Sequence, residues 1–276
     1  MFFSLFATGA FSSRERVALG KPDLGGSDPQ IIGRHTIRLD GRIDVGARLE
    51  IEAGVSVPLS ARTRTQHDYI RLLARHSRRA GNFLEIGPDI GLFASAFAKG
   101  SSFDHFWLYE PNREVHRSLA DNFSGLSHSI SADIFRASDV PPQSVSTAVM
   151  IHVLDHLLQP KDFLQEIKAS LEPGGVVFIV THDCGSTLAR VLGRRWPPYT
   201  LQHPQLFSQR SIATLLQASG LEVVESVKTT NYFPLPFLMR AGLTVLGLPE
   251  RLVPEGTGPL LGLKLGNIGT IARKPT

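Results

Sequence analysis

Residues 82–93 read "NFLEIGPDIGLF". An apolar run ends in the acid Glu85, Gly87 and Gly91 bracket Pro88, Asp89 and Ile90, and the chain then enters a helix. The pattern is a strand, a tight turn and a helix start. Glycines in such a turn supply positive φ and let backbone approach a ligand closely. Cofactor loops usually place a third glycine between these two, and here that position is Asp89. The turn by itself does not separate a cofactor loop from an ordinary strand-to-helix connection.

Strands and helices alternate beyond it. Short β-branched or aromatic runs predict strands at 82–86, 105–109, 127–131, 145–151 and 175–181, with helices at 91–99, 112–122 and 160–171 between them. This alternation is that of a parallel sheet covered by helices on both faces. "SQRSIATLLQASG" (208–220) is a further helix, capped by Ser208 and followed by Gly220. "LEVVESVKTTNYF" (221–233) is a strand, and "GNIGTIARKP" (266–275) is expected as a closing edge strand. Upstream, Thr65–Arg79 reads as a helix with Tyr69, Leu72 and Leu73 facing inward. The Gly-rich residues before it, including "HTIRLDGRIDVGARLEIEAGVSV" (35–57), suggest short strands or hairpins. The expected organisation is an extension over 1–64, as a lid or dimer contact, and one α/β domain over 65–276 with an insert at about 186–207.

In open parallel sheets, ligands bind at the carboxyl ends of the strands where their order reverses. Glu110 ends the second strand, nineteen residues beyond Gly91, where a carboxylate can accept both hydroxyls of an adenosine ribose. Asp133, after the third strand, can accept an adenine amino group or simply form a turn. "VMIHVLDHLLQPKDFLQEIKASLEPGGVVFIV" (149–180) then runs strand, polar loop, helix, Pro-Gly-Gly turn, strand.

Composition narrows the classes. The 276 residues are 42% hydrophobic with mean hydropathy 0.00, which suits a globular chain with a large core. The net charge of +4 favours anionic partners, but no reader motif or long basic block points to nucleic acid. A lone cysteine, Cys184, excludes an internal disulfide and fits a reducing, cytoplasmic setting. "MFFSLFATGAF" lacks the basic lead of a signal peptide, and no apolar run reaches 18 residues. The apolar, Pro- and Gly-broken tail (232–276) is expected to pack over the domain, with peripheral membrane contact as the alternative.

"FLEIGPDIG", "LYEPN", "SADIF", "IHVLDHLLQP" and "LEPGGVVFIV" stand in the order and spacing of class I S-adenosylmethionine-dependent methyltransferases. The chain resembles that family over about residues 80–230, closest to the branch with a V-L-E-H-like signature after strand four. The resemblance implies a Rossmann-like, doubly wound, seven-stranded and mostly parallel sheet with its last strand antiparallel. It implies S-adenosylmethionine as cofactor, a first loop of Glu85, Gly87 and Gly91, Glu110 on the ribose, Asp133 on the adenine, and His152 with Val153–His156 as the floor beneath the sulfonium. Asp89 departs from the pattern, and an acid there is suited to the cofactor's amino group or sulfonium. Ser146 and Thr147 stand where the family often has an acid.

Methyl transfer from a sulfonium needs alignment, exclusion of water and, for many acceptors, proton removal. His182 in "THDCGS" is the leading base candidate at the end of strand five, and His152 is the second. The i, i+4 spacing of His152 and His156 lacks a third ligand, so no metal is expected. The insert "LLGRRWPPYTLQHPQLFS" offers Arg194, Arg195, Trp196, Tyr199 and His203 to grip a sugar or phosphate. The expected acceptor is therefore a small molecule or glycan precursor. The alternatives are a non-catalytic cofactor-binding partner in glycan or lipid assembly, or an NAD-dependent oxidoreductase sharing the Gly turn and the strand-end acid. Oligomeric state has no sequence signal.

Overall fold

The computed structural model describes residues 57–249, 253 and 258–276, and the backbone of 30–32 and 35–37. Those two short segments, β1 (Gln30–Ile32) and β2 (His35–Ile37), pair antiparallel. The other strand-like stretches expected upstream lie outside the described residues.

Helix α1 (Leu59–Ala74) starts six residues before the expected Thr65. It buries Tyr69, Leu72 and Leu73 as the spacing predicts. The alternating unit follows: β3 (Ala80–Ile86), α2 (Leu92–Ala98), β4 (Ser102–Tyr109), α3 (His116–Asn122), β5 (His128–Ser131), β6 (Val145–Ile151), α4 (Pro160–Ser170) and β7 (Leu171–His182). Beyond it come α5 (Thr187–Leu192), α6 (Gln209–Ala218), β8 (Glu222–Lys228), β9 (Asn231–Pro234), α7 (Leu235–Leu246), β10 (Leu260–Leu263) and β11 (Asn267–Arg273).

Seven strands form one sheet in the order β5-β4-β3-β6-β7-β11-β8. Strands β3 to β7 are mutually parallel, and β11 is antiparallel to both of its neighbours. The last strand is antiparallel as expected, but it does not close the edge. It slots between β7 and β8, leaving β8 outermost. Its sequence carries the reason: Asn267–Ala272 is buried without alternation, as an inner strand must be, while β8 alternates exposed and half-covered residues at its start. The strand expected over 221–233 also divides. β8 ends at Lys228, and β9 turns away to pair with β10 in a separate hairpin.

Helices cover both faces. On one, Leu164 and Ile167 of α4 and Ile212 and Leu216 of α6 pack over Leu84, Met150 and Ile179. On the other, Tyr69 and Leu73 of α1, Phe93 and Phe97 of α2 and Leu119 of α3 pack over Phe83, Val149 and Phe178. The two serine-threonine positions in place of an acid serve this packing. Ser146 Oγ donates to the carbonyls of Ala80 and Asn82 at 2.5 and 3.0 Å, and Thr147 pairs with Ser77 at 2.8 Å. The apolar tail packs Phe233 and Phe237 against Val57 and Ala61 of the α1 region. No helix among the described residues is long and apolar enough to cross a membrane.

The inner position of β11 yields a test. A Cβ on Gly269 would stand 2.9 Å from Thr229 Cγ2 and 3.1 Å from both Leu72 and Phe178. Gly269→Ala is expected to destabilise the fold by about 1–3 kcal/mol, read from urea unfolding, because overpacked atoms force backbone and side chains apart.

Candidate functional site

The strand order reverses between β3 and β6, so a crevice opens at their carboxyl ends. The Gly87–Gly91 turn leaves β3 on one side of it, and His152 leaves β6 on the other.

The turn is held by its neighbours. Gly87, Asp89 and Gly91 all have positive φ (71°, 54° and 78°). Gly87 N–H donates to the Tyr109 carbonyl at 2.8 Å, and Gly91 N–H to the Pro88 carbonyl at 2.8 Å. Gly91 is required for packing as well as for φ. A Cβ there would lie 2.6 Å from Leu119 and 2.9 Å from Phe123, so its hydrogen admits α3 rather than a ligand. Asp89 accepts the left-handed conformation that acids tolerate better than most residues. Its carboxylate forms an ion pair with Arg62 of α1.

Glu110 ties this turn to the next strand end. Its two carboxylate oxygens accept the backbone N–H groups of Asp89 and Asn112, each at 2.9 Å. Only 4% of the residue is exposed. Burial pushes its carboxyl up, and the two N–H donors oppose that rise. Each oxygen keeps a second lone pair, so a buried Glu110 can still accept two hydroxyls. Glu85 lies deeper, on the α2 side of β3. Burial pushes its carboxyl up to about 8, with the nearby Glu110 and Asp89 adding to the rise and the backbone of Ala94 opposing it. Its Oε2 is buried and has no hydrogen-bond partner among the described residues. Asp133 stands exposed just past β5, its N–H bonded to Ser131 Oγ at 3.1 Å.

Across the crevice the structure gathers four histidines and one acid. The rings of His152 and His182 are 4.6 Å apart, those of His182 and His203 4.6 Å, and those of His156 and His203 4.7 Å. Asp155, fully buried, pairs with His182 Nδ1 and also accepts the His182 backbone N–H at 3.3 Å. Burial alone would raise the Asp155 carboxyl, but the adjacent His182 outweighs it and holds Asp155 well below the usual carboxylate range. Burial pushes His152, His156 and His203 down, His203 to about 4, with the other imidazoles adding to the shift in each case. His152 has φ 54° and contacts Asn267 Nδ2 at 3.4 Å. A buried polar chain continues from Asn267 through Asn231 to the Tyr69 hydroxyl. His152, Asp155 and His182 also have ligand atoms within 4.8 Å of one another. This grouping takes in Asp155 and His182 and not the i+4 residue His156, which bonds the Gln202 carbonyl at 2.8 Å.

The insert folds over these strand ends. Cys184 N–H bonds the Phe207 carbonyl at 2.9 Å, and Gln205 N–H the Asp155 carbonyl at 3.3 Å. It contains a helix, α5, that its sequence did not announce, started by Ser186, whose side chain accepts Ala189 N–H. Trp196 is 1% exposed, with its ring edge-on to His182, so it anchors the insert instead of standing open to stack on an acceptor. Arg194, Arg195 and Tyr199 are exposed, and His203 is half-buried. Cys184 is half-buried, and burial raises its thiol, which leaves it unreactive.

Comparison with known proteins identifies the arrangement. A family model described as a methyltransferase domain matches residues 61–226, more than half of the chain. The chain belongs to the class I S-adenosylmethionine-dependent methyltransferase family. Solved structures agree on the fold. One is a Haloferax volcanii complex between the Trm112 methyltransferase activator and a methyltransferase (16% identity, TM-score 0.54, covering 79% of this chain and 93% of that one). Another is the Burkholderia thailandensis 1,6-didemethyltoxoflavin N1-methyltransferase, solved with 1,6-didemethyltoxoflavin and S-adenosylhomocysteine (16%, 0.52, 77% and 79%). A third is a methyltransferase from Mesorhizobium loti (12%, 0.51, 76% and 98%). No curated protein matches the sequence.

Sequence reasoning named the strand-end acids but gave no role to Arg62 and took in Asp155 only as part of the Val153–His156 floor. Both act through partners 27 residues away, so no local pattern marks them. The raised Glu85 carboxyl gives a pH test. The unfolded chain loses this proton near 4.5 and the folded protein only near 8, so stability falls as pH rises between those values. Glu85→Gln, neutral throughout, should gain about 2–4 kcal/mol relative to wild type at pH 8 and far less at pH 5 in urea unfolding.

Proposed function

We propose that this methyltransferase moves the methyl group of S-adenosylmethionine to an oxygen or nitrogen of a small-molecule or sugar precursor. Glu110 and the turn after β3 hold the cofactor, and His182 takes the acceptor's proton. The single observation that carries this reading is the placement of the twice-anchored Glu110 and the Asp155–His182 pair on opposite sides of the β3/β6 crevice. The residues fit the cofactor. Glu110 keeps two lone pairs for ribose hydroxyls, and the buried Oε2 of Glu85 beside it lacks a partner among the described residues.

When bound, S-adenosylmethionine supplies a methyl group on a sulfonium whose leaving group is already activated. The chain's own residues then have to orient the acceptor, exclude water and remove a proton. Among the clustered histidines, His182 suits the last task. Ionised Asp155 accepts from Nδ1–H, which leaves the Nε2 lone pair to receive a proton, and the carboxylate stabilises the imidazolium that forms. His203, held down to about 4, is too weak a base for that step. His152 contributes burial and position to the wall. The insert closes the site, and its exposed Arg194 and Arg195 suit a phosphorylated or sugar-bearing acceptor.

Calorimetry with S-adenosylhomocysteine tests the cofactor half. Glu110→Ala should lose about 100-fold in affinity, from two charge-assisted hydrogen bonds. Absence of any binding by the wild type sinks the proposal. With labelled methyl donor and a panel of sugar nucleotides and small alcohols and amines, His182→Gln should cut turnover about 10²–10⁴-fold with cofactor affinity unchanged.

A further inference from the structure

Four arginines stand at the end of the first helix and just after it: Arg71, Arg75, Arg78 and Arg79. The structure divides them. Arg78 pairs with Glu172 at 2.7 Å, and Arg79 donates to the carbonyls of Phe97 and Lys99 at 2.7 and 2.6 Å, so these two fasten the chain to its neighbours. Arg71 and Arg75 instead line a cleft of about 330 Å³ between α1 and the end of β8, together with Lys228 and Lys264. Asp68 is the only acid lining it among the described residues.

The charges of this cleft are available to a ligand. Lys228 and Lys264 are exposed and take part in no ion pair among the described residues. Arg71 and Arg75 pair with Asp68 and Glu225 at 3.0 Å each, but their side chains are 79% and 59% exposed. Ion pairs so open to water contribute little, so either guanidinium can exchange its carboxylate for a better-matched anion at small cost. Glu225 is also shared with His76 at 2.6 Å. Behind the cations the wall is fixed and closed. Tyr69 is buried there, its hydroxyl accepts from Asn231 at 3.1 Å, and Asn231 accepts from Asn267 at 3.3 Å. This buried chain stands between the cleft and His152, so the cleft is separate from the β3/β6 crevice.

A single carboxylate would leave most of this positive charge unmatched. A phosphate ester brings up to two negative charges and three free oxygens, which planar guanidinium forks and ammonium groups both suit. The volume falls at the lower end of the roughly 300–1,000 Å³ of small-molecule sites, which leaves room for the group that the phosphate esterifies. We propose that the cleft between α1 and the end of β8 is a second binding site, for a phosphate or diphosphate ester held by Arg71, Arg75, Lys228 and Lys264.

Calorimetry on the full chain with inorganic pyrophosphate tests it. The wild type should bind, and more weakly as salt is raised. Lys228→Gln combined with Lys264→Gln breaks no ion pair among the described residues and should weaken binding about 10-fold or more. Asp68→Asn, which removes the competing acid and releases Arg71, should tighten it several-fold. Neither change should alter affinity for S-adenosylhomocysteine. Sedimentation with phosphatidylglycerol vesicles identifies the source of the phosphate: vesicle binding lost in the lysine double variant assigns a lipid headgroup, and pyrophosphate binding without vesicle binding assigns a soluble ester. Unchanged pyrophosphate affinity in the double variant overturns the proposal. So does loss of binding in Arg194→Gln/Arg195→Gln with none in the lysine variant, which places the anion on the insert. A wild type that binds S-adenosylhomocysteine but not pyrophosphate overturns this site alone and leaves the methyl-transfer reading standing.

Discussion

Two backbone N–H groups, from Asp89 and Asn112, converge on the carboxylate of Glu110. They belong to the turns after two adjacent parallel strands, β3 and β4, so one side chain sets the distance and tilt between the two loops that frame the crevice. A carboxylate with water at both oxygens would spread its interactions over a mobile shell. A carboxylate buried between two fixed donors has a single orientation, and its remaining lone pairs point where the backbone dictates. The left-handed conformations of Gly87, Asp89 and Gly91 follow from the same constraint. The chain must leave β3, present the Asp89 N–H to Glu110 and enter α2 within a few residues, and only a sequence of positive φ values turns that sharply.

That arrangement concentrates negative charge. Glu85, Asp89 and Glu110 share a small region, and the protein answers in two ways. Glu85 keeps its proton to about 8 because burial makes the charged form expensive. Asp89 is paired with a cation, Arg62, which comes to it from the first helix. The cluster across the crevice solves the opposite problem. Four imidazoles in contact would repel if protonated; burial drives three of them down, and the fourth, His182, is paired with the carboxylate of Asp155. One side of the crevice is thus an acid cluster with one arginine, and the other an imidazole cluster with one acid. In the proposed reading the first side takes the cationic donor molecule, and the second the proton-bearing acceptor.

How much of this the sequence shows depends on the range of the interaction. The parallel core was legible because each strand is a short buried run and each helix is punctuated. Ser208 was read correctly as a cap because its bond to Ser211 N–H spans only three residues. Glu110 was legible because strand-end position and spacing from Gly91 are both one-dimensional facts. The position of β11 was less so. An antiparallel last strand satisfies the same hydrophobic pattern at an edge or inside, and only its unbroken burial, carried by Ile268, Thr270 and Ile271, separates the two. The splitting of 221–233 into β8 and β9 depends on β10, almost thirty residues later, which no local pattern can register. Trp196 misled because a tryptophan in an insert looks equally suited to a ligand and to a core; packing against His182 decides it.

The insert and the histidine cluster are best understood together. His156 reaches the Gln202 carbonyl, Asp155 lends its own carbonyl to Gln205, and Cys184 bonds Phe207, so the insert is tied to both strand ends that carry the cluster. Each tie satisfies a backbone group that burial would otherwise leave unpaired, at a cost of about 1–3 kcal/mol apiece. The cluster therefore cannot be moved without loosening the insert, and the insert cannot open without exposing His182. In the proposed reading, Asp89 on one wall and the imidazoles on the other flank the place where donor and acceptor have to be brought together.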